Sequence, residues 1–161
     1  KGEYPYTINP GGPNHEELAS LIGIHDYMIN LYNHHFNDEN ISTRKKIIKI
    51  NNLISNHEEE VANPILEYIH NKKNLKLIGK NKISNKNRAP TISFTSKNMS
   101  SKKISDILVS NKIATRNDNF YAWRCLEALG INTEDGIVRL SMTHYNSKYD
   151  SNLAIESLSK L

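Results

Sequence analysis

The sequence predicts an α/β chain of the α+β kind: a small sheet with helices on one face, preceded by two long helices. Three observations carry this. Residues 14–71 hold two long stretches with apolar residues at mostly helical spacing. Beyond residue 74 short apolar runs alternate with capped helical segments, in the order strand, strand, helix, strand, helix, strand, helix. Between the two long stretches, Asn37-Asp38-Glu39-Asn40 breaks the apolar periodicity. That places a boundary near residues 37–42 and divides the chain into 1–38, a loop plus a helix, and 39–161.

The elements follow in order. Pro5, Pro10, Gly11, Gly12 and Pro13 forbid regular structure over most of residues 1–14. Asn14 is a good N-cap, and Glu16 and Glu17 suit the positive end of the following helix dipole. Leu18, Leu21, Ile22, Met28, Ile29 and Tyr32 form its apolar positions, ending near His34-His35. A second helix starts at Ser42 or Thr43 and runs on Ile47, Ile48, Ile50, Leu53 and Ile54, then Val61, Ile65, Leu66 and Ile69. Pro64 inside it predicts a kink or a restart. Leu75–Ile78 is a short strand closed by Gly79, and Lys80–Asn87 a polar loop. Thr91–Thr95 is a strand with Ile92 and Phe94 on one face. Ser100 or Ser101 caps a helix carrying Ile104, Ile107 and Leu108. A strand over Ile113–Arg116, a helix over Asn119–Leu129 stopped by Gly130, and a strand over Ile137–Met142 follow. Asn146 or Ser147 caps the last helix, with Leu153, Ile155 and Leu158 apolar.

Composition narrows the function classes. The net charge of +4 is spread along the chain, so runs such as Arg44-Lys45-Lys46 read as solvated helix faces rather than a nucleic-acid patch. The single cysteine, Cys125, excludes an intrachain disulfide and a cysteine-based zinc cage, and it reads as a small buried or half-buried thiol. No apolar run approaches the roughly 20 residues that a membrane helix needs. His15-Glu16-Glu17 lacks the second histidine of a zincin motif, and the other histidines lack metal-ligand spacing. The cytoplasm is the default compartment. The chain opens with Lys1-Gly2-Glu3 rather than Met, which predicts a piece of something longer.

Several short motifs stand in a telling order: Gly12-Pro13-Asn14, then Arg88 with Pro90 and Phe94, then Ile113 with Arg116, then Arg139 with Ser141, Tyr145 and Asn146. This series resembles the C-terminal part of the class V aminotransferase and cysteine desulfurase-like family, which are fold-type I enzymes dependent on pyridoxal phosphate. The resemblance covers essentially all 161 residues. It implies that residues 1–38 are the tail of the large cofactor-binding domain and 39–161 the small C-terminal domain. It also implies an amino-acid substrate and a homodimer. The family's Schiff-base lysine lies upstream of the Gly-Pro-Asn turn in a Ser-x-His-Lys setting. Lys1 alone precedes that turn here and lacks that context, so the resemblance implies a polypeptide inactive by itself.

The candidate site residues divide by what suggests them. Arg139 lies between Val138 and Leu140 in a strand and so points away from both. An arginine there reaches solvent, an ion-pair partner or a ligand; the resemblance implies that it binds the substrate carboxylate, which a planar guanidinium grips with two parallel hydrogen bonds. Pro10-Gly11-Gly12-Pro13-Asn14 is either an ordinary loop or an anion-binding turn before a helix start. In the family this turn contacts the phosphate of the cofactor held by the neighbouring subunit. Members often carry Thr where Gly12 stands, leaving Gly11 and Gly12 only a backbone contact.

Arg116 reads as a residue at the mouth of the active site. In group II cysteine desulfurases the loop after this arginine presents a cysteine that accepts sulfur, and matching Arg116 and Ala122 puts Tyr121 at that position. A phenol cannot carry a persulfide, so Tyr121 contacts substrate at most and the desulfurase-like subset fits better. Arg88, before Ala89-Pro90, reads as structural. The alternative from another class is a small RNA- or protein-binding module. Against it, the predicted strands lack the paired aromatics on which bases stack. The apolar stripe of the first helix predicts a partner surface, with a second copy of the chain as candidate.

Overall fold

A computed structural model describes residues 11–38, 40–84 and 87–161. Nine elements follow in order: α1 His15–His35, α2 Thr43–Asn71, β1 Leu75–Ile78, β2 Thr91–Ser96, α3 Ser101–Ser110, β3 Arg116–Asp118, α4 Trp123–Ala128, β4 Ile137–Ser141 and α5 Lys148–Ser159. The chain groups into two compact units, the first ending at Leu53 and the second covering Ile54–Leu161. Of the loop predicted over 1–14, residues 1–10 lie outside the described residues and 11–14 are irregular.

In the first unit, Asn14 caps α1 by accepting the Glu17 N–H at 3.0 Å. Tyr32 is fully buried, stacked on Phe36 at 4.9 Å, with its hydroxyl donating to the Asp38 carbonyl at 3.2 Å. Lys46 sits over the same ring at 5.3 Å, and Lys49 pairs with Asp38. Leu18, Leu21, Ile22 and Ile24 on α1 are exposed.

The second unit is built on a four-stranded antiparallel sheet of order β1-β2-β4-β3. Strand alternation sends Ile92 and Phe94 of β2 and their cross-strand partners Leu140 and Val138 of β4 to one face. All four are buried there against Ala62, Ile65, Leu66 and Ile69 of α2, Ile104 and Leu108 of α3, and Ala154 and Leu158 of α5. The helices thus cover one face, as the sequence predicts. Burying an aliphatic side chain of this size is worth about 1.5–3 kcal/mol, so this layer holds the unit together.

Pro64 neither ends nor restarts α2. It lies on the exposed side of the helix, while Val61, Ala62, Ile65 and Leu66 around it are buried, and that packing outweighs the one lost hydrogen bond. Polar links tie α2 to the rest of the unit. Ser151 donates to the Val61 carbonyl at 2.6 Å, and His57 Nε2 donates to the Asn146 carbonyl at 2.7 Å. Asn63 accepts the Ile83 N–H at 2.8 Å and donates back to its carbonyl at 3.1 Å, fixing the loop after β1.

Arg88 is structural, as the sequence reading holds, and its partners are carbonyls: Ile78 at 3.4 Å, Lys80, and Thr91 at 2.9 Å. It thereby fastens the end of β1 to the start of β2, and its burial pushes the guanidinium pKa down.

Two boundaries differ from the sequence reading, and a third is decided between its two candidates. The strand expected over Ile113–Arg116 lies instead at Arg116–Asp118. Lys112, at φ +64, ends α3 with its N–H on the Val109 carbonyl and the Ile113 N–H on the Leu108 carbonyl, so Ile113 closes a helix rather than opening a strand. The helix expected from Asn119 begins only at Trp123, because Phe120 and Tyr121 take left-handed backbone at φ +54 and +60. Ser147, not Asn146, precedes α5; its N–H donates to Asp150 at 2.7 Å, while Asn146 Oδ1 accepts the Thr143 N–H at 2.8 Å and caps the turn before it.

Gly136, ahead of β4, touches the backbone of the facing chain. A Cβ there would lie 2.3 Å from the Asp118 carbonyl carbon and 2.8 Å from the Asn119 nitrogen, and its φ is +68. No side chain fits without displacing the Asp118–Asn119 backbone.

Three stability measurements check this account. Phe94→Ala should cost about 3–5 kcal/mol in urea unfolding, since the ring is fully buried between sheet and helices. Gly136→Ala should cost at least about 2 kcal/mol, from left-handed strain and backbone overlap together. Glu58 is half-buried, and desolvation raises its pKa, only partly offset by His144 and His57. A carboxyl whose folded pKa lies above its unfolded value loses stability as pH rises from the unfolded to the folded pKa. Glu58→Gln should therefore stabilise the chain above that window and make no difference below it, as read from unfolding midpoints across acid and neutral pH.

Candidate functional site

The face of the sheet opposite the core carries the candidate residues Arg139 and Arg116. Register places Ser93, Arg139 and Arg116 in one row across β2, β4 and β3. Lys76, Ile78, Thr91, Thr95, Ile137, Ser141 and Asp118 share that face by alternation. Arg139 thus points away from Val138 and Leu140, as its sequence position requires.

Arg116 and Arg139 stand directly opposite each other on β3 and β4. Among the described residues, no carboxylate forms an ion pair with either guanidinium. Asp118, two residues along the same strand, spends Oδ1 on the Asn119 N–H at 2.7 Å. What both arginines share is the ring of Phe120. Its centroid lies 4.2 Å from Arg139 Cζ and 5.7 Å from Arg116 Cζ. The Arg139 backbone is held by Thr115, whose hydroxyl donates to the Arg139 carbonyl at 2.8 Å.

The loop that delivers Phe120 is tied at Asn119. The Asn119 side-chain oxygen accepts the Tyr121 N–H at 3.0 Å, its carbonyl accepts the Ala122 N–H at 2.9 Å, and its amide reaches the Thr133 carbonyl at 3.5 Å. With its backbone left-handed, the loop sends neighbouring side chains different ways. Phe120 lies on the guanidinium pair, whereas Tyr121 is 99% exposed and makes no side-chain contact with it. Phe120 is the residue sequence reasoning missed. The available signal is the Asn117-Asp118-Asn119 run before it, whose side chains favour local turns. Cys125, expected to be buried or half-buried, is exposed on α4 because only Leu126 of that short helix faces inward.

Gly11 and Gly12 belong to the first unit, just ahead of the Asn14 cap. Both are exposed, and a Cβ at either would meet no other described atom within 4 Å. Their backbone is therefore free to approach an external anion, although Asn14 already takes one N–H of the helix start. A cavity of about 340 Å³ lies on the core side of β4, lined by Ile113, Leu140, Met142, Tyr145, Asn146 and Leu153 among others. Arg139 is not part of it, and the chemistry of the arginine pair lies on the other face of the strand. No cluster of metal-ligating side chains occurs among the described residues.

Comparison with known proteins identifies the family and the fold. The family "Aminotransferase class-V" matches residues 46–152, well over half of the chain. An aminotransferase-like protein, FGM3, of Gibberella zeae is 28% identical over 95 residues, covering 58% of this chain and 24% of that protein. The chain thus spans about a quarter of the curated relative it matches. Among solved structures, the apo cysteine desulfurase of Thermococcus onnurineus superposes with a TM-score of 0.59 at 22% identity, covering 73% of this chain and 29% of that one. The NifS-like protein of Rickettsia africae superposes with a TM-score of 0.56 at 15% identity, covering 73% and 32%. At these identities the superpositions establish the fold, that of cysteine desulfurases, and the sequence match establishes the family: the chain belongs to the class-V aminotransferases.

Proposed function

We propose that this chain supplies the small C-terminal domain of a pyridoxal phosphate-dependent, cysteine desulfurase-like enzyme, in which Arg139 holds the α-carboxylate of an amino-acid substrate. The observation that carries this reading is a half-buried arginine on the outward sheet face with no carboxylate partner among the described residues. A buried or half-buried cation without a counter-charge is costly, and an incoming carboxylate answers it with two charge-assisted hydrogen bonds. Arg116, opposite, adds positive potential at the same place. Clamping the carboxylate orients the bonds at the substrate Cα, which is where chemistry in this family occurs.

The cofactor fits this chain at one edge only. Gly11 and Gly12 offer open backbone for a phosphate contact; the Schiff-base lysine has no candidate in residues 1–161. When bound, pyridoxal phosphate supplies an electron sink for bond cleavage at the amino-acid Cα. In this reading residues 1–38 belong to the large domain and residues 39–161 to the small one, and the enzyme works as a homodimer. The exposed Leu18, Leu21 and Ile22 of α1 support a further packing surface. Tyr121 stands where sulfur-transferring relatives carry cysteine, which favours a reaction without a protein persulfide.

The RNA-binding alternative is not favoured. The ten residues that the register places on the outward sheet face include no aromatic side chain for stacking bases.

The test is an amino-acid titration. With the large domain that carries the lysine supplied, Arg139→Ala should weaken binding of L-alanine about ten- to hundredfold, the worth of a charge-assisted carboxylate contact, while leaving affinity for pyridoxal phosphate nearly intact. Equal amino-acid affinity in the two proteins refutes the role.

A further inference from the structure

We infer that Phe120 is a positioning residue for the carboxylate clamp, acting through the Arg139 guanidinium; the inference rests on the reading of Arg139 above. An arginine on an open sheet face has several freely rotating bonds and little reason to hold one pose. Arg139 is confined nonetheless. The Phe120 ring lies 4.2 Å from its Cζ, a distance at which the negative face of the ring attracts the cation and restricts its plane. The same ring stands 5.7 Å from Arg116 Cζ, so one aromatic serves two like charges that register forces opposite each other.

The backbone independently marks this loop: Phe120 and Tyr121 are both left-handed, at φ +54 and +60. A non-glycine aromatic at φ +54 is strained, and strain persists only where surrounding structure over-determines it. Here the surroundings do so. Asn119 ties the loop through its side-chain oxygen and its carbonyl, and Gly136 lets the Asp118–Asn119 backbone come close enough to seat it. The strained geometry achieves one visible thing: it swings Phe120 onto the arginine pair and Tyr121 into solvent. An aromatic floor fixes the guanidinium while leaving its hydrogen-bond donors free for a carboxylate. A carboxylate partner in that place would have consumed them.

The test compares Phe120→Leu, which removes the π face but keeps apolar bulk, with Phe120→Tyr, which keeps the ring. In the chain without added ligand, the Arg139 Nε–H resonance should carry a ring-current shift and exchange slowly with water. Both features should vanish in Phe120→Leu and survive in Phe120→Tyr. With the large domain supplied, L-alanine affinity should fall about fivefold in the leucine variant and stay near the original value in the tyrosine variant.

If Arg139→Ala weakens amino-acid binding and Phe120→Leu leaves both resonance and affinity unchanged, the role of Phe120 is overturned and the carboxylate reading stands. If neither substitution alters affinity, the carboxylate reading fails and Phe120 loses its role with it. If the leucine and tyrosine variants both lower the melting temperature and lose the resonance features alike, the residue serves loop packing only, and the inference fails.

Discussion

The pairing of β2 with β4 is the constraint on which the rest depends. Ile92 opposite Leu140 and Phe94 opposite Val138 form one continuous apolar patch, and the helices have nowhere else to bury their stripes. Because side chains alternate along a strand, the same register necessarily turns Ser93 and Arg139 outward. A slip of one residue would put a guanidinium into the core and Val138 into water. The hydrophobic energy of four side chains therefore fixes where the charge goes. The outward placement of Arg139 is inherited from packing on the opposite side of the strand.

Three arginines near this sheet show how position decides role. Arg88 spends its Nη donors on the carbonyls of Ile78, Lys80 and Thr91, and its buried Nε has no partner among the described residues. Its charge is used up in holding two strand ends together, and burial depresses its pKa. Gly79 next to it has φ +87, and a Cβ there would come within 3.1 Å of the guanidinium, so the staple and the turn are matched. Arg139 and Arg116 contact an aromatic face instead. A ring attracts the cation without accepting its hydrogen bonds in the plane, so those donors stay available. The difference between a structural and a ligand-ready arginine lies in what has already claimed its N–H groups.

Much of this was legible in the sequence wherever side-chain type and backbone conformation speak together. Asn14 announces α1 because its side chain caps a helix as few others do, and Ile92 and Phe94 announce a strand by alternation. The helix ends are instructive. After α4, Gly130 at φ +65 passes its N–H to the Glu127 carbonyl, and Ile131 passes its own to Leu126. After α3, Lys112 and Ile113 make the same two bonds to Val109 and Leu108. The geometry is identical, yet only the first carries a glycine, so only the first was readable. With that signal missing, the sequence reads Ile113 as the start of a strand, three residues ahead of β3. Asn119 misled for a related reason. An asparagine side chain that accepts a nearby backbone N–H suits a helix cap and an isolated turn equally, and only the left-handed residues after it distinguish the two.

The β3–β4 pairing sets two like charges against each other. A sheet selected only for stability would set an acid opposite Arg139, since opposite charges across a ladder help and like charges hurt. Here the ladder sets Arg116 there, and Asp118, one step along the same face, turns its carboxylate to the Asn119 N–H. Phe120 softens the repulsion by offering one electron-rich face to both cations, at the cost of left-handed backbone. The like-charge pairing and the left-handed backbone lower the stability of the unliganded sheet, the ring recovers part of that loss, and an anion between the two guanidiniums would recover more. That pattern, local rules broken together at one spot on an otherwise consistent fold, is where a binding site belongs. On the carboxylate reading the unfavourable part of the ladder is the part that the substrate completes.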